Sequence, residues 1–228
     1  MKLDSNQLKR IPLFSKLNDE EVDFLLTDHL TSFIDDHQNI VLEQDWGKTL
    51  FLIGKGLAKI RSITADGEEV IFAIAGEGDV FGEMAGLEDQ TRSADVLSIT
   101  AMTIYKFPEK KYLQLVNSSP LFSIELAKYQ ARKLRDLNQR FITQKSDAMT
   151  RYLDAFVYIA KKSKSLISSD NIEISKVMQK EIASIAGLSR ETASRTLSKL
   201  KARRIISETE YSLTIEDKSS LIKRNISY

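Results

Sequence analysis

The chain has 228 residues, of which 42% are hydrophobic and 29% are charged, so it is long enough for one large or two modest domains with their own cores. It contains no cysteine, which excludes disulfides, thiolate metal sites and cysteine-ligated iron–sulfur clusters. The sequence shows no signal peptide and no apolar stretch able to span a bilayer, so we expect a soluble cytoplasmic protein.

The net charge of +1 is unevenly distributed. Residues 1–144 contain 17 basic and 22 acidic side chains, a net charge of −5, whereas residues 145–228 contain 16 and 10, a net charge of +6. A basic C-terminal part on an acidic body is typical of a nucleic-acid-binding domain joined to a domain with another role. Taken alone, this charge asymmetry is weak evidence for nucleic-acid binding.

The first half of the chain has the pattern of a small β domain that follows one helix. Asn18 and Glu21 can form a capping box, which predicts a helix from Asp19 to about Asp28. Asp66-Gly67 is a hairpin signal, and we expect positive φ at both residues. The closely spaced strands predict a small antiparallel barrel or jelly roll, with strands at Asn39–Leu42, Leu50–Ile53, Leu57–Ile63, Val70–Ala75 and Ser98–Phe107.

Beyond Pro108 the pattern becomes helical. It predicts a short helix over Glu109–Val116 and an uninterrupted helix from Leu121 to about Thr143. About six turns exceed what a barrel of this size can cover, so we expect this helix to pair with a second copy rather than to pack only on its own domain. Its apolar stripe contains Ile124, Ala127, Leu134, Leu137 and Phe141, with Ala131 and Asn138 beside it, and Arg132, Lys133, Arg135 and Arg140 are expected to be solvated on the far side.

The C-terminal part has the pattern of a helix-turn-helix. Asp147 predicts the start of a helix to about Lys164, followed by a polar loop over Ser163–Asn171 and a short strand at Ile172–Ile174. Residues 179–198 then predict two short helices joined at Gly187. Strands at 205–207 and 211–215 predict a wing, beside which Arg203 and Arg204 would contact phosphate.

The second of these short helices has an outward face suited to reading DNA bases. Ser189 is its predicted N-cap, and Arg190, Glu191 and Arg195 can bond guanine or cytosine edges in a major groove. An ordinary solvated helical hairpin is the alternative, but the turn glycine, the small Ala183 and this face together favour DNA recognition. The predicted DNA contacts are Gln179, Ser189, Arg190, Glu191, Ser194, Arg195 and Lys199.

Residues 78–94 form a second informative stretch. A glycine-rich turn leads into a short helix at Glu83–Gly86, whose backbone N–H groups could meet an anion. Arg92 and Ser93 could return to the same site with a positive charge and a hydroxyl. Taken alone, the pattern also fits a barrel turn with a surface salt bridge.

These residues carry a resemblance to a known family. Phe81–Ala85, followed by Arg92-Ser93-Ala94, resembles the phosphate-binding cassette of cyclic-nucleotide-binding domains. Ser189-Arg190-Glu191-Thr192 with Arg195 resembles the recognition helix of the cyclic-AMP receptor protein/fumarate–nitrate regulator (CRP/FNR) family. The resemblance covers nearly the whole chain.

The resemblance implies an α+β fold in three parts. These are a β jelly-roll effector domain (1–118), a long dimerisation helix and hinge (119–146), and a winged helix-turn-helix domain (147–228). It further implies a homodimeric transcription regulator, not an enzyme, that binds an inverted repeat of GTGA-like half-sites. A cyclic nucleotide, cAMP before cGMP, would control it without a metal, and RNA polymerase would be a partner.

The resemblance also assigns the ligand contacts. It implies that Glu83 accepts the ribose 2′-hydroxyl, with Gly82 giving close backbone approach, and that Arg92 and Ser93 bind the phosphate. Met84 is expected at the same site.

Two departures from the family pattern bear on this assignment. Leu137 and Asn138 occupy positions where the family presents two hydroxyl residues to the base, which leaves cAMP, cGMP or a pocket that no longer signals open. Met178 replaces a usual threonine cap, so Ser175 would take part of that role. A cupin-type metalloenzyme, the alternative from another class, is poorly supported because His29 and His37 are the only histidines.

Overall fold

The computed structural model describes residues 3–163 and 171–228, which form two compact units. The first unit contains the chain up to Ser62 together with Ala75–Leu137, and the second contains Ile63–Ile74 together with Asn138–Tyr228. Each unit has its own set of buried apolar side chains, as independent domain cores require. No helix in the described ranges is both long and apolar enough to cross a membrane.

Short capped helices open the first unit. Helix α1 (Ser5–Lys9) is followed by a 3₁₀ turn at Pro12–Phe14 and by helix α2 (Asp19–Leu26). The predicted capping box at α2 is confirmed: the Asn18 side chain accepts from the Glu21 N–H at 2.9 Å, and the Glu21 carboxylate accepts from the Asn18 N–H at 2.9 Å. The helix ends two residues before the predicted boundary.

Two four-stranded antiparallel sheets form the β domain, as expected for a jelly roll. One sheet has the order β1-β8-β3-β6 and the other β2-β7-β4-β5. The strands are β1 (Leu30–Ile34), β2 (Asn39–Val41), β3 (Leu50–Lys55), β4 (Ala58–Ile63), β5 (Glu69–Ala75), β6 (Val80–Phe81), β7 (Asp95–Ser98) and β8 (Met102–Phe107).

The single strand predicted over Ser98–Phe107 is wrong, because the chain leaves one sheet and enters the other within it. β7 ends at Ser98 and β8 begins at Met102. Between them, the Ile99 and Thr100 amides both bond the Leu57 carbonyl, at 2.8 and 3.3 Å, which turns the backbone. Strands β1, β6 and most of β7 were not predicted from the sequence.

Aromatic side chains join the β domain to the helices that follow it. Helix α4 (Glu109–Ser118) leads into the long helix α5 (Pro120–Thr143). The Phe122 ring lies 5.9 Å from the Phe14 ring, which in turn lies 6.1 Å from Phe107 of β8. Phe122 and Leu126 anchor the first half of α5 in this core.

The hairpin between β4 and β5 is confirmed, but its turn is not of the expected type. Gly67 has φ of 78°, whereas Asp66 is absent from the residues with positive φ. The Thr64 and Glu68 backbones pair at 2.9 Å, and the Gly67 N–H bonds the Thr64 carbonyl at 2.9 Å. One left-handed glycine therefore suffices, as in a three-residue hairpin loop with a glycine bulge.

The remainder of the second unit is a winged helix-turn-helix. Helix α6 (Ala148–Ser163) is capped by Asp147, whose carboxylate accepts from the Met149 and Thr150 N–H groups at 2.9 and 3.1 Å. The polar loop predicted over Ser163–Asn171 lies outside the described residues except for its two ends. The other elements are β9 (Ile172–Ser175), a 3₁₀ turn (Lys176–Met178), α7 (Gln179–Ile185), α8 (Arg190–Ala202), β10 (Ile206–Glu208), β11 (Ser212–Ile215) and α9 (Ser219–Ile222).

The start of α7 differs from the expectation for Ser175. Met178 makes no side-chain cap, as expected, but Ser175 makes none either. The 3₁₀ turn instead precedes α7 directly, and the Gln179 N–H bonds the Lys176 carbonyl. The wing strands β10 and β11 continue into β9, giving one three-stranded sheet in the order β10-β11-β9.

Candidate ligand pocket and DNA-recognition surface

A cavity that opens to solvent lies in the β domain of the first unit. The stretch predicted to bind an anion supplies much of its wall, so the structure brings Gly82, Glu83, Met84, Arg92 and Ser93 together. The other lining residues are apolar except for Lys133. The full lining is Val41, Ile60, Phe81, Gly82, Glu83, Met84, Ala85, Arg92, Ser93, Ala94, Val96 and Lys133.

Gly82 allows the backbone to pass against Arg92. It has φ of 81° and precedes helix α3 (Glu83–Glu88). A Cβ atom there would lie 2.4 Å from Arg92 Nη1 and 2.7 Å from the Thr49 carbonyl oxygen. Both the backbone conformation and the contact therefore require glycine.

Arg92 is a buried cation whose hydrogen-bond partners are neutral. It is 5% exposed, and its Nη1 and Nη2 donate to the Gly82 and Thr49 carbonyls at 2.7 and 3.0 Å. The guanidinium carbon also lies 5.5 Å from the Phe51 ring centroid. Burial lowers its pKa from the usual value, and it forms no ion pair with the described residues. Since a guanidinium has five N–H donors, three remain available to an anion in the cavity.

The loop between β2 and β3 holds the Arg92 backbone in place. The Arg92 N–H donates to the Asp45 carbonyl at 2.8 Å, and the Arg92 carbonyl accepts from the Gln44 N–H at 2.9 Å. A Cβ atom added at Gly47 would lie 3.5 Å from Arg92 Nη2. Trp46, the single tryptophan of the chain, is 70% exposed in this loop and is therefore a local fluorescent reporter.

Glu83 is almost completely buried and bonded to two residues of α5. Its side chain is 1% exposed, and its Oε1 accepts from Gln130 Nε2 at 2.8 Å and from Lys133 Nζ at 3.0 Å. Lys133 also donates to the Val80 carbonyl at 3.2 Å. Helix α5 therefore reaches the pocket through a charged hydrogen-bond network.

The expected solvation of Lys133 on the far side of α5 is wrong. Phe122, Leu126, Tyr129 and Lys133 follow one another at helical spacing, so the buried face of the helix continues into the lysine. Arg140 is not free in solvent either, because it donates to the Phe72 carbonyl and lies 4.9 Å from the Tyr158 ring centroid. The lysine could have been found by extending the buried spacing beyond the last apolar residue.

The remaining predicted ligand residues are less uniformly placed. The Ser93 hydroxyl faces the Met84 sulfur at 3.9 Å, and Met84 is 43% exposed at the cavity. Leu137 and Asn138 are not among the cavity-lining residues. Their contact with a ligand stays a prediction.

The recognition helix in the second unit forms as predicted. Gly187 has φ of 59°, and its carbonyl accepts from Arg151 Nη1 at 3.0 Å, which ties the turn to α6. The Ser189 hydroxyl accepts from the Thr192 N–H at 3.2 Å, as an N-cap should. The inward face of α8 is buried and consists of Ala193, Thr196, Leu197 and Leu200.

The outward face of α8 presents the predicted base-reading side chains to solvent. Arg190, Glu191, Ser194, Arg195 and Lys199 are all exposed, and Gln179 at the start of α7 is half-buried. Arg195 Nη2 lies 3.2 Å from Glu191 Oε1, with the side chains 66% and 77% exposed. An exposed pair of this kind is worth little, so both groups are free to exchange it for base contacts.

No group of three or more histidine, aspartate or glutamate side chains that could hold a metal ion occurs in the described part of the chain.

Comparisons with known proteins match two domains of the chain. Residues 33–119 match the family described as cyclic nucleotide-binding domain, and residues 151–224 match the Crp-like helix-turn-helix domain. The chain is 28% identical over 200 residues to the cyclic AMP receptor protein of Thermus thermophilus, covering 87% of this chain and 89% of that protein. It is 32% identical over 162 residues to the cAMP-activated global transcriptional regulator CRP of Haemophilus influenzae, covering 69% of this chain and 71% of that protein.

A solved structure shows the same fold. The c-di-GMP-responsive global regulator CLP of Xanthomonas campestris aligns with a TM-score of 0.73 at 19% identity, covering 88% of this chain and all of that chain. The fold and the two matched domains thus define a DNA-binding transcription regulator with a cyclic nucleotide-binding domain. The chain belongs to the CRP/FNR family, whose members are transcription regulators rather than enzymes.

Proposed function

We propose that the chain is a homodimer that binds an inverted repeat of GTGA-like half-sites when a cyclic nucleotide, with cAMP as the first candidate, occupies the pocket. The observation that carries this proposal is Arg92: a buried guanidinium, whose hydrogen-bond acceptors among the described residues are neutral carbonyls, faces a cavity beside Ser93. A buried positive charge without an ionic partner is stabilised when an anion binds beside it. RNA polymerase is the partner that such a regulator would meet at a promoter.

The cyclic phosphate would bind the unused N–H groups of Arg92 and the hydroxyl of Ser93. A planar guanidinium fits two phosphate oxygens better than an ammonium does. The ribose 2′-hydroxyl would then donate to Glu83, whose carboxylate is acceptor-only when ionised. A donor hydroxyl is the group that makes a carboxylate tolerable next to a bound phosphate.

This placement gives the ligand a direct effect on α5. Glu83 Oε1 already accepts from Gln130 and Lys133, so a hydroxyl that bonds this oxygen competes with both, whereas one that bonds Oε2 adds to the network. A displaced Lys133 ammonium would turn to the phosphate. Ligand binding therefore shifts the preferred position of α5 to the extent that the two arrangements differ in ligand affinity.

The exposed stripe on α5 supports a dimer. Leu134 is 59%, Leu137 44% and Phe141 68% exposed in the single chain. Apolar residues repeated along one helix face are the pattern of a helix pair. A two-fold pair of recognition helices would read an inverted repeat.

The identity of the effector rests on relatives and on the unpaired charge of Arg92. The Thermus and Haemophilus relatives are named for cAMP, and this supports cAMP here. The alternative is the same architecture with another effector, or constitutive DNA binding with an inactive pocket. It is favoured by the protein groups that already bond Glu83 Oε1, and by the c-di-GMP response named for the structural relative CLP.

Titration calorimetry with cAMP and with cGMP tests the pocket, and Trp46 fluorescence gives a second readout. Arg92→Leu should abolish binding, and Arg92→Lys should weaken it because the bidentate fork is lost. Arg10→Leu, which removes an exposed arginine from the same unit, is the matched control and should bind normally. Unchanged affinity in Arg92→Leu would contradict the phosphate assignment, and binding of neither nucleotide would favour the alternative.

Anisotropy with labelled duplexes tests DNA recognition independently. Arg190→Ala or Arg195→Ala should cost about 1–3 kcal/mol on a duplex with the inverted GTGA repeat and should relax the preference at one G·C pair. An equal loss on all sequences would instead make that arginine a phosphate contact.

A further inference from the structure

A carboxylate beside the turn of the wing holds two lysines of the DNA-binding unit. Glu208, the last residue of β10, bonds Lys176 Nζ with Oε1 at 2.8 Å and bonds Lys201 Nζ with Oε2. The Glu208 side chain is 19% exposed, and each lysine side chain is 44% exposed. Three elements that are separate in sequence, the 3₁₀ turn before α7, the end of α8 and the wing, meet at this carboxylate.

Lys201 lies on the side of α8 that reads DNA. Arg190, Ser194 and Lys201 are spaced i, i+4 and i+11, which places them on one stripe of the helix. The N-terminal residues of a recognition helix contact base edges, so its last turn, beside the wing, lies toward the phosphate backbone. Lysine at this position has the charge of a phosphate contact.

We propose that Glu208 acts as an internal competitor of DNA phosphate, which limits sequence-independent affinity and leaves discrimination to the base contacts of α8. Its two carboxylate oxygens bond the two lysine ammonium groups as phosphate oxygens would. The two lysines must leave this carboxylate, or share it, before they contribute to backbone binding. The inference rests on the DNA binding proposed above and concerns its electrostatic part.

The wing itself agrees with this role. Glu208 ends β10 and Glu210 lies in the turn that follows, so the expected basic contacts beside the wing are offset by acidic groups on the wing. Glu210 is exposed and forms no ion pair with the described residues. It therefore offers a control that removes the same charge from the same wing.

Glu208→Gln tests the proposal, because it keeps the side-chain shape and removes the charge. Two lysines released to phosphate should steepen the plot of log affinity against log salt by about 1.8 on a duplex without the repeat. The gain in affinity over the unchanged chain should then shrink roughly tenfold between 50 and 200 mM salt. Glu210→Gln should give a distinctly smaller change. Because phosphate contacts do not depend on sequence, the ratio of specific to non-specific affinity should stay the same in both variants.

Two results would overturn the proposal. Weaker non-specific binding in Glu208→Gln would mean that the carboxylate positions the lysines for phosphate. Equal effects of Glu208→Gln and Glu210→Gln would mean that only the net charge of the wing matters. Failure of the inverted-repeat proposal would look different, because both duplexes would then be bound equally by the unchanged chain.

A lysine variant keeps the test decisive if Glu208→Gln does not fold. Lys201→Met should change the salt slope by much less than one, since its charge is already neutralised by Glu208. Lys199→Met, at an exposed lysine of α8 with no ion pair to the described residues, should lower the slope by about 0.9. Equal losses in the two variants would contradict the proposal.

Discussion

At the scale of single residues, Gly82 shows how a backbone conformation and a close contact can both depend on one missing methyl group. Its φ of 81° lies in the left-handed region, and a Cβ there would meet Arg92 Nη1 at 2.4 Å. Gly67 has a similar φ of 78°, but nothing lies within 4 Å of its Cβ position. The pair separates conformational strain from steric conflict.

Gly82→Ala should therefore lose more stability than Gly67→Ala. Left-handed backbone costs a residue other than glycine about 1–2 kcal/mol, which both variants share. Gly82→Ala must in addition displace Arg92 from the Gly82 and Thr49 carbonyls, so it should also lose nucleotide binding. Urea unfolding and calorimetry on both variants check this, and normal ligand affinity in Gly82→Ala would show that Arg92 does not need its present position.

The element scale shows which features can be predicted from local sequence. The Asn18–Glu21 capping box, the Asp147 cap, the Gly187 turn and the Ser189 cap depend on residues within three or four positions, and all four are present. Their chemistry is independent of the rest of the fold.

Features that depend on distant partners could not be predicted in this way. Strands β1 and β6 are defined by pairing with β8 and β3, and the break before β8 by the Leu57 carbonyl. Lys133 is drawn into the pocket by Glu83, fifty positions earlier in the chain. Propensity carries no information about such contacts.

The Asp147 cap gives a pH-dependent prediction for α6. Hydrogen bonds from Thr150, first from its hydroxyl, hold the pKa of Asp147 below its usual value. Because the folded-state pKa is lowered, this stabilisation is present above the unfolded pKa of about 3.9 and is lost as the pH falls through the lower folded value. Asp147→Ala should cost about 1 kcal/mol near pH 7 and less in acid.

Asp147→Asn is the matched control for the charge. Asparagine caps nearly as well as aspartate, so stability near pH 7 should change little while the acid-dependent part disappears. Circular dichroism with urea at several pH values between 6 and 3 measures both variants. A cost of Asp147→Ala that stays constant with pH would exclude a charged cap.

The exposed stripe of α5 gives a prediction about assembly. If the chain forms the proposed dimer, Leu134→Lys should convert it to a monomer, because two charges would be buried at the same point of a symmetric helix pair. Leu30, 66% exposed on β1, is a matched leucine outside the stripe, and Leu30→Lys should leave the dimer intact. Sedimentation velocity distinguishes dimer from monomer. If Leu134→Lys is still a dimer, the interface does not include this part of α5.

At the scale of the whole molecule, the candidate pocket and the basic charge lie in different parts of the sequence. The acidic N-terminal 144 residues contain the pocket, and the net charge of +6 lies in residues 145–228 with α8. This division favours DNA binding by the C-terminal part alone. Control by a ligand then has to act through residues shared by the pocket and α5.

If the proposed control is correct, Lys133 should determine how strongly ligand and DNA binding are coupled. The nucleotide should strengthen DNA binding by about 5–150-fold, and DNA should strengthen nucleotide binding by the same factor, since linkage is reciprocal. Lys133→Met removes the ammonium that bonds Glu83 in the free pocket, so it should lower this factor with little change in DNA affinity when no nucleotide is present. Arg190→Ala, by contrast, should weaken DNA binding with and without nucleotide and keep the factor unchanged. Calorimetry of nucleotide binding to free and DNA-bound protein, together with anisotropy with and without nucleotide, measures the factor from both directions. An unchanged factor in Lys133→Met would mean that the signal leaves the pocket by a route other than Glu83 and α5.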